Sequence, residues 1–344
     1  MTWKTATAAA LALGLVTPAA ADLVFPSLDY RTGPYAPNGI PFADGYQDYF
    51  TLLQERDGGI EGTPIESDDV VAQGEQVVRR AAEGGYGLIL DLEYAHGEIL
   101  GPIAADYPDV NFAIYNLELP EANIASVLFQ EHEGSYLAGV LAARMTSVEG
   151  NPRIDPTNKV IGVVAAVVSP GIDKFLVGFI QGAKDTDPEV EVLVNYANSF
   201  GDPATGQALT EAMYERGADI VYHVAGGTGA GVIQAAVDNE RYAIGVDTDQ
   251  DGLAPGSVLT SMVKRVDVAT ADLIARYARG EYPGGQTVTY GLAENGVGLT
   301  DFEHTRDVIP DEFLEEVDAA RQSIIDGEID VSSSGVLPFW TSDG

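Results

Sequence analysis

Residues 223–232 read HVAGGTGAGV, a glycine-rich stretch between a short apolar run and a segment with a helical pattern. A glycine turn between strand and helix is a common phosphate cradle, because the bare N–H groups of the helix start face the ligand. Asp247 follows Gly227 at about the spacing at which a dinucleotide fold places its ribose-binding acid. The finer pattern argues against a cofactor. Gly226-Gly227-Thr228-Gly229-Ala230-Gly231 lacks the third glycine of G-x-G-x-x-G and follows a late strand, not the first. No Gly-Lys-Ser/Thr run makes it a P-loop either. Two readings of the turn stay open: glycines that only permit a tight turn and close helix packing, or a helix start that offers N–H groups to a neutral polar ligand in a cleft.

Signs of catalysis are missing from the motifs. The four histidines, His96, His132, His223 and His304, stand far apart and show no metal-ligand spacing. No G-x-S-x-G elbow occurs, and the chain has no cysteine to act as nucleophile. No cofactor, no metal and no enzymatic activity are expected. His132 and His223 read as satisfied core or cleft-edge residues.

The bulk of the chain fits an exported protein. Lys4, the apolar run AAALALGLV and the small-x-small pattern in PAAADL form an export leader with cleavage expected after Ala21. Without cysteine there is no lipobox, so the expected product is periplasmic, with no lipid anchor and not membrane-anchored. Fifty-three acids against eighteen bases give a formal charge of −35, and the acids are scattered along the chain. Such a surface repels phosphates, which argues against nucleic acid as a partner. It also fits a salty habitat, where screening makes self-repulsion tolerable.

Positioning these groups requires alternating strands and helices. LVFPSL (23–28), GLILDL (87–92), VNFAIY (110–115), VIGVVAAV (160–167), VEVLVNY (190–196), ADIVYHV (218–224) and RYAIGV (241–246) read as buried parallel strands. Amphipathic segments with Asp caps and glycine stops lie between them. Repeated βα units make α/β, doubly wound sheets, and the number of strands favours two lobes over one. The looser passage NLELPEANIAS marks the first lobe boundary. The lobes are expected at 22–120 with 255–298 and at 121–254 with 299–344, joined by three chain segments. The ligand then lies in the cleft, at the carboxyl ends of the strands.

Several stretches carry a family resemblance. FQEHEGSYLAGVLAARMT, the long run from KFLVGFIQGAKD to VYHVAGGTGAGVIQAA, YAIGVDTDQ and VLTSMVKRVDVA resemble, in order and spacing, the basic membrane protein family of PnrA-like substrate-binding proteins. The resemblance runs from about Gly84 to the C-terminus. It implies a periplasmic-binding-protein type I fold, capture of a purine nucleoside or similar small polar ligand, and delivery to an ABC permease and ATPase complex. A monomer is expected. A repressor of the same fold class would need a basic DNA-binding segment before the first strand, where the leader stands instead.

Residue roles follow from the matching motifs. Phe200 in NYANSF resembles one face of a purine-stacking sandwich, Gly227 the backbone that lines the pocket, Asp247 the acceptor of sugar hydroxyls, and Lys264 the pocket lysine. Taken as residues alone, Phe200 also reads as plain core, Asp247 as a turn cap, and Lys264 as a solvated helix start. The N-terminal stretch departs from the family. YRTGPYAPNGIPFADGYQDYFTLLQERDGGIEG is similar to the branched-chain amino acid, amide and urea group of the same fold. It makes Asp29, Tyr35 and Asn38 candidates at the first strand's exit, with Tyr35 or Tyr94 as the second stacking face. An amino acid, short amide or urea is therefore the alternative ligand, and a ligand sensor feeding a signalling partner the alternative role.

Overall fold

The computed structural model describes residues 23–28, 51, 60–65 and 70–334. The expected leader, 1–21, and the candidates Asp29, Tyr35 and Asn38 lie outside them. Strands β1 (Leu23–Leu28), β2 (Ile60–Ile65), β3 (Leu88–Asp91), β4 (Asn111–Tyr115), β5 (Ile124–Phe129) and β11 (Thr287–Tyr290) form one six-stranded sheet in the order β11-β5-β4-β3-β1-β2. The second, also six-stranded, runs β12-β10-β9-β8-β6-β7. Its members are β6 (Val160–Ala165), β7 (Glu191–Tyr196), β8 (Ala218–Val224), β9 (Tyr242–Asp247), β10 (Val258–Lys264) and β12 (Val297–Leu299). All recorded pairings are parallel except β10 with β12.

Both sheets thus repeat one winding, with the direction reversing between β1 and β3 in the first and between β6 and β8 in the second. At such a reversal the connections leave on opposite faces and open a crevice at the strands' carboxyl ends. The central strands read as continuous apolar runs because both faces are covered. Every residue of β6 and of β8 is buried.

The described helices are α1 (Val70–Glu83), α2 (Gly97–Asp106), α3 (Glu131–Met145), α4 (Pro170–Thr186), α5 (Pro203–Glu215), α6 (Gly229–Asp238), α7 (Val266–Ala278) and α8 (Asp311–Ile325). Local chemistry starts α4 and α5. Ser169 and Asp202 cap them by accepting the N–H groups of Ile172 and Thr205, and Pro170 and Pro203 follow at once. Helix α3 is buried on nearly every face, as expected of a helix without a polar stripe. It lies so close to α4 that a Cβ on Gly139 would overlap the carbonyl oxygen of Phe179.

The expected lobe limits need two corrections. Ile124–Phe129, expected in the second lobe, pairs with β4 and β11 in the first sheet. Pro120 and Asn123 carry the loop signal, but the ladder starts directly after them, and IASVLF buries both faces between two strands. Conversely Val258–Lys264, expected in the first lobe, pairs with β9 and β12 in the second sheet. The Gly/Pro-rich passage before it is a turn within one sheet. A short 3₁₀ turn at Asp251–Leu253 suffices to return the chain.

The chain therefore crosses between sheets at Gln130, at Arg265 and at 291–296, and these crossings are bonded together. The Gln130 N–H donates to the Tyr290 carbonyl at 3.0 Å, and the Arg265 N–H to the Gly296 carbonyl at 2.8 Å. The Leu292 N–H donates to Glu133 Oε2 at 2.8 Å.

Candidate functional site

Four of the expected residues lie at the carboxyl edge of the second sheet. Phe200 follows β7, Gly227 follows β8, Asp247 ends β9 and Lys264 ends β10. Adjacent strands lie about 4.8 Å apart, so neighbouring groups on this edge can touch one small ligand. Tyr94 follows β3 in the first sheet and is 61% exposed.

The turn after β7 folds onto the glycine turn. The Thr228 N–H donates to the Phe200 carbonyl at 3.0 Å, Thr228 Oγ1 donates to the Ser199 carbonyl at 2.8 Å, and the Asp202 N–H donates to Thr228 Oγ1 at 2.9 Å. Phe200 and Gly227 are thereby fastened to one local frame. Phe200 is half-buried and Gly227 buried. The packing reading of the glycines holds for two of them. A Cβ on Gly231 would overlap the Pro203 carbonyl of α5, and one on Gly229 the ring of His223.

Asp247 has φ +65°, a left-handed conformation that Asp and Asn tolerate better than other non-glycine residues. It is half-buried and faces Val263 of β10 across the ladder. Behind it, Gln250 Oε1 accepts the Val246 N–H at 2.9 Å, and the Gln250 N–H donates to Ser261 Oγ at 3.0 Å.

Lys264 is not a solvated helix start. Its ammonium is 2.7 Å from Glu131 Oε1, with only 11% of the side chain exposed, and it lies 5.1 Å from the centre of the Phe129 ring. Lys174 reaches the other oxygen of the same carboxylate at 2.5 Å. Burial acts to raise the Glu131 carboxyl, but the two lysines outweigh it and hold it below the usual carboxylate range. Sequence reading missed Glu131. The signal was an acid at the start of a mostly buried helix, directly after the strand end Phe129-Gln130.

Tyr94 is presented by an anchored turn. Glu93 Oε1 accepts the Ala95 N–H at 2.9 Å, and His96 Nδ1 lies 2.9 Å from Asp91 Oδ2, with both side chains buried. Among the described residues no group of His, Asp and Glu forms a metal site. This edge carries an aromatic ring at Phe200, backbone at Gly227, a carboxylate at Asp247 and, paired with Glu131, a cation at Lys264.

The model of the family described as ABC transporter substrate-binding protein PnrA-like matches residues 53–334. The chain belongs to this family. The CD4+ T-cell-stimulating antigen of Listeria monocytogenes is 36% identical over 268 residues, covering 73% of this chain and 71% of that protein. The ABC transporter nucleoside-binding protein BmpA of Lactococcus lactis subsp. cremoris is 34% identical over 271 residues, covering 74% and 73%. In structure, the chain is similar to an ABC transporter solute-binding protein from Aeropyrum pernix K1, with TM-score 0.73 and 25% identity over 90% of this chain and 93% of that one. As a PnrA-like protein it has the periplasmic-binding-protein type I fold. Its family role is to hand a small molecule to a permease and ATPase. No described helix is long and apolar enough to cross a membrane.

Proposed function

We propose that this PnrA-like protein captures a purine nucleoside between its two lobes and delivers it, unchanged, to an ABC importer from the periplasm. The observation that carries the reading is the order of groups along one sheet edge: Phe200, Gly227, Asp247, Lys264. A nucleoside presents a flat aromatic base and a ribose with vicinal hydroxyls. Phe200 would stack on the base, with Tyr94 or Tyr35 as the opposite face. Asp247 would accept from the ribose hydroxyls, and the backbone at Gly227 admits the sugar without a side chain in the way. Lys264, with one of its three donors directed to Glu131, would bond a sugar or base oxygen. Asp29 and Asn38 would complete the first lobe's contribution. The name of the Lactococcus relative, a nucleoside-binding protein, supports the same reading.

The expected leader supports export to the periplasm. Closure of the lobes about the three crossings would signal occupancy to the permease.

Titration calorimetry of the purified protein against nucleosides, free bases, short amides, urea and branched-chain amino acids tests the reading. One-to-one binding of purine nucleosides, recovered intact, is expected. Binding of an amide or amino acid with no heat from any nucleoside overturns it.

A further inference from the structure

Gly227 and Asp247 sit on turns from neighbouring strands, and a buried histidine stands between those turns. His223, on β8, is fully buried. One ring nitrogen, Nε2, is 2.9 Å from Gln250 Oε1. The same amide oxygen accepts the Val246 N–H. An amide oxygen only accepts, so Nε2 carries the proton and the tautomer is fixed. The opposite edge of the ring lies against Gly229, at the foot of the glycine turn, where no Cβ would fit. Nδ1, on that edge, has no hydrogen-bond partner. Burial pushes the imidazole down to about 4, so the ring is neutral at physiological pH.

We infer that His223, through Gln250, sets the spacing between the turn that carries Gly227 and the turn that carries Asp247, and is a positioning residue for ligand capture. Its ring is a spacer bonded on one side and wedged on the other. Gln250 passes the constraint on, because its side chain holds Val246, directly before Asp247, and its backbone N–H is tied to Ser261 on β10. A hydrophobic residue of similar volume would fill the space without fixing the distance. A glutamine places its amide N–H near the ring Nε2 and can restore the bond.

The inference rests on the reading that Gly227 and Asp247 both face the ligand, and its test has one arm without ligand. In the full-length free protein, His223→Leu should speed amide hydrogen exchange at Val246 and Gln250 by about tenfold, the size of one lost hydrogen bond, with β6 unchanged. His223→Gln should restore slow exchange. In the second arm, the preference of the protein for adenosine over 2′,3′-dideoxyadenosine should fall about tenfold in His223→Leu and recover in His223→Gln. Unchanged exchange at Val246 and Gln250 overturns the inference. So does an equal loss of affinity for both nucleosides, which marks general loosening of the fold. If the wild type binds neither nucleoside, the nucleoside reading falls and the exchange arm still decides the positioning role. Should His223→Leu not fold, His223→Met keeps a flexible side chain of similar volume without the donor and leaves Gln250 in place, and the same exchange and selectivity changes are expected of it.

Discussion

Lys264 Nζ stands 2.7 Å from Glu131 Oε1 and so joins two of the three crossings between the sheets. Glu131 is the first residue of α3, just past Gln130, and Lys264 the last of β10, just before Arg265. Lys174 closes the triad and donates to the carbonyl of Phe129, the last residue of β5 in the first sheet. One buried carboxylate therefore ties the second lobe to the strand end of the first. Replacing Glu131 by Gln leaves two partly buried ammonium groups facing a neutral amide. Breaking a buried pair in this way costs about 3 kcal/mol. Urea denaturation should show the loss as a lower midpoint at unchanged slope. An unaltered midpoint would mean that solvent already compensates the lysines.

Phe200 is held by its backbone, so its ring can be removed without dismantling the turn. Its carbonyl is the acceptor for Thr228, and truncation of the side chain leaves that bond in place. Phe200→Ala should weaken nucleoside binding by about 1–3 kcal/mol, the range for loss of one stacking face. The thermal midpoint should hardly move. Calorimetry and a melt on the same sample separate the two. Full affinity with a lowered midpoint would make Phe200 a packing residue.

Asp247→Asn isolates the carboxylate. Asparagine accepts a φ of +65° as readily as aspartate does, so the backbone stays where it is. A hydrogen bond to a charged group contributes about 1.5–3 kcal/mol. Ribonucleosides should lose that much affinity, whereas 2′,3′-dideoxynucleosides, lacking the hydroxyls, should lose almost none. Equal losses on both would place Asp247 away from the sugar.

Gly231→Ala separates packing from recognition within the glycine-rich turn. The added methyl would overlap the Pro203 carbonyl, forcing α5 and α6 apart. Overpacking of this kind costs about 1–3 kcal/mol of stability. Differential scanning calorimetry should show it as a lower midpoint. A variant as stable as the parent would show that the helices can part freely.

What could be read in the sequence was whatever is encoded locally. VIGVVAAV and ADIVYHV announced central strands because burial on both faces leaves no polar alternation. Asp202-Pro203 announced a helix start through cap chemistry. The motifs around Phe200, Gly227, Asp247 and Lys264 pointed to these positions through resemblance, and their common edge follows from the winding. Sheet membership was not legible in the same way. IASVLF and VLTSMVK both read as strands, and which sheet each joins depends on partners far away in sequence. The Gly/Pro-rich passage at 252–256, where a lobe limit was expected, is a turn within one sheet. Glu131 was hidden for the same reason: its partners, Lys174 and Lys264, come from two separate later segments.

His223 also gives stability a pH dependence of known sign. Its ordinary value is 6.5, and burial lowers it to about 4 in the folded protein. Between these values the unfolded chain takes up a proton that the folded chain refuses. Stability is therefore complete above pH 6.5 and declines as pH falls toward 4, by an amount on the order of 3 kcal/mol for this one group. His132 is lowered to about 4 as well, by burial first and the nearby Lys174 second, and adds a loss of the same sign. Asp219 works the other way. Burial raises it to about 6, so protonation favours the folded state as pH falls through that value. The net slope combines these groups, and comparison with His223→Gln isolates one of them. Glutamine does not titrate, so urea midpoints of the variant should fall less steeply than those of the wild type from pH 6.5 to pH 4. Parallel curves would mean that His223 is protonated at the same pH in the folded and unfolded chains, and that its ring is not sealed between the two turns.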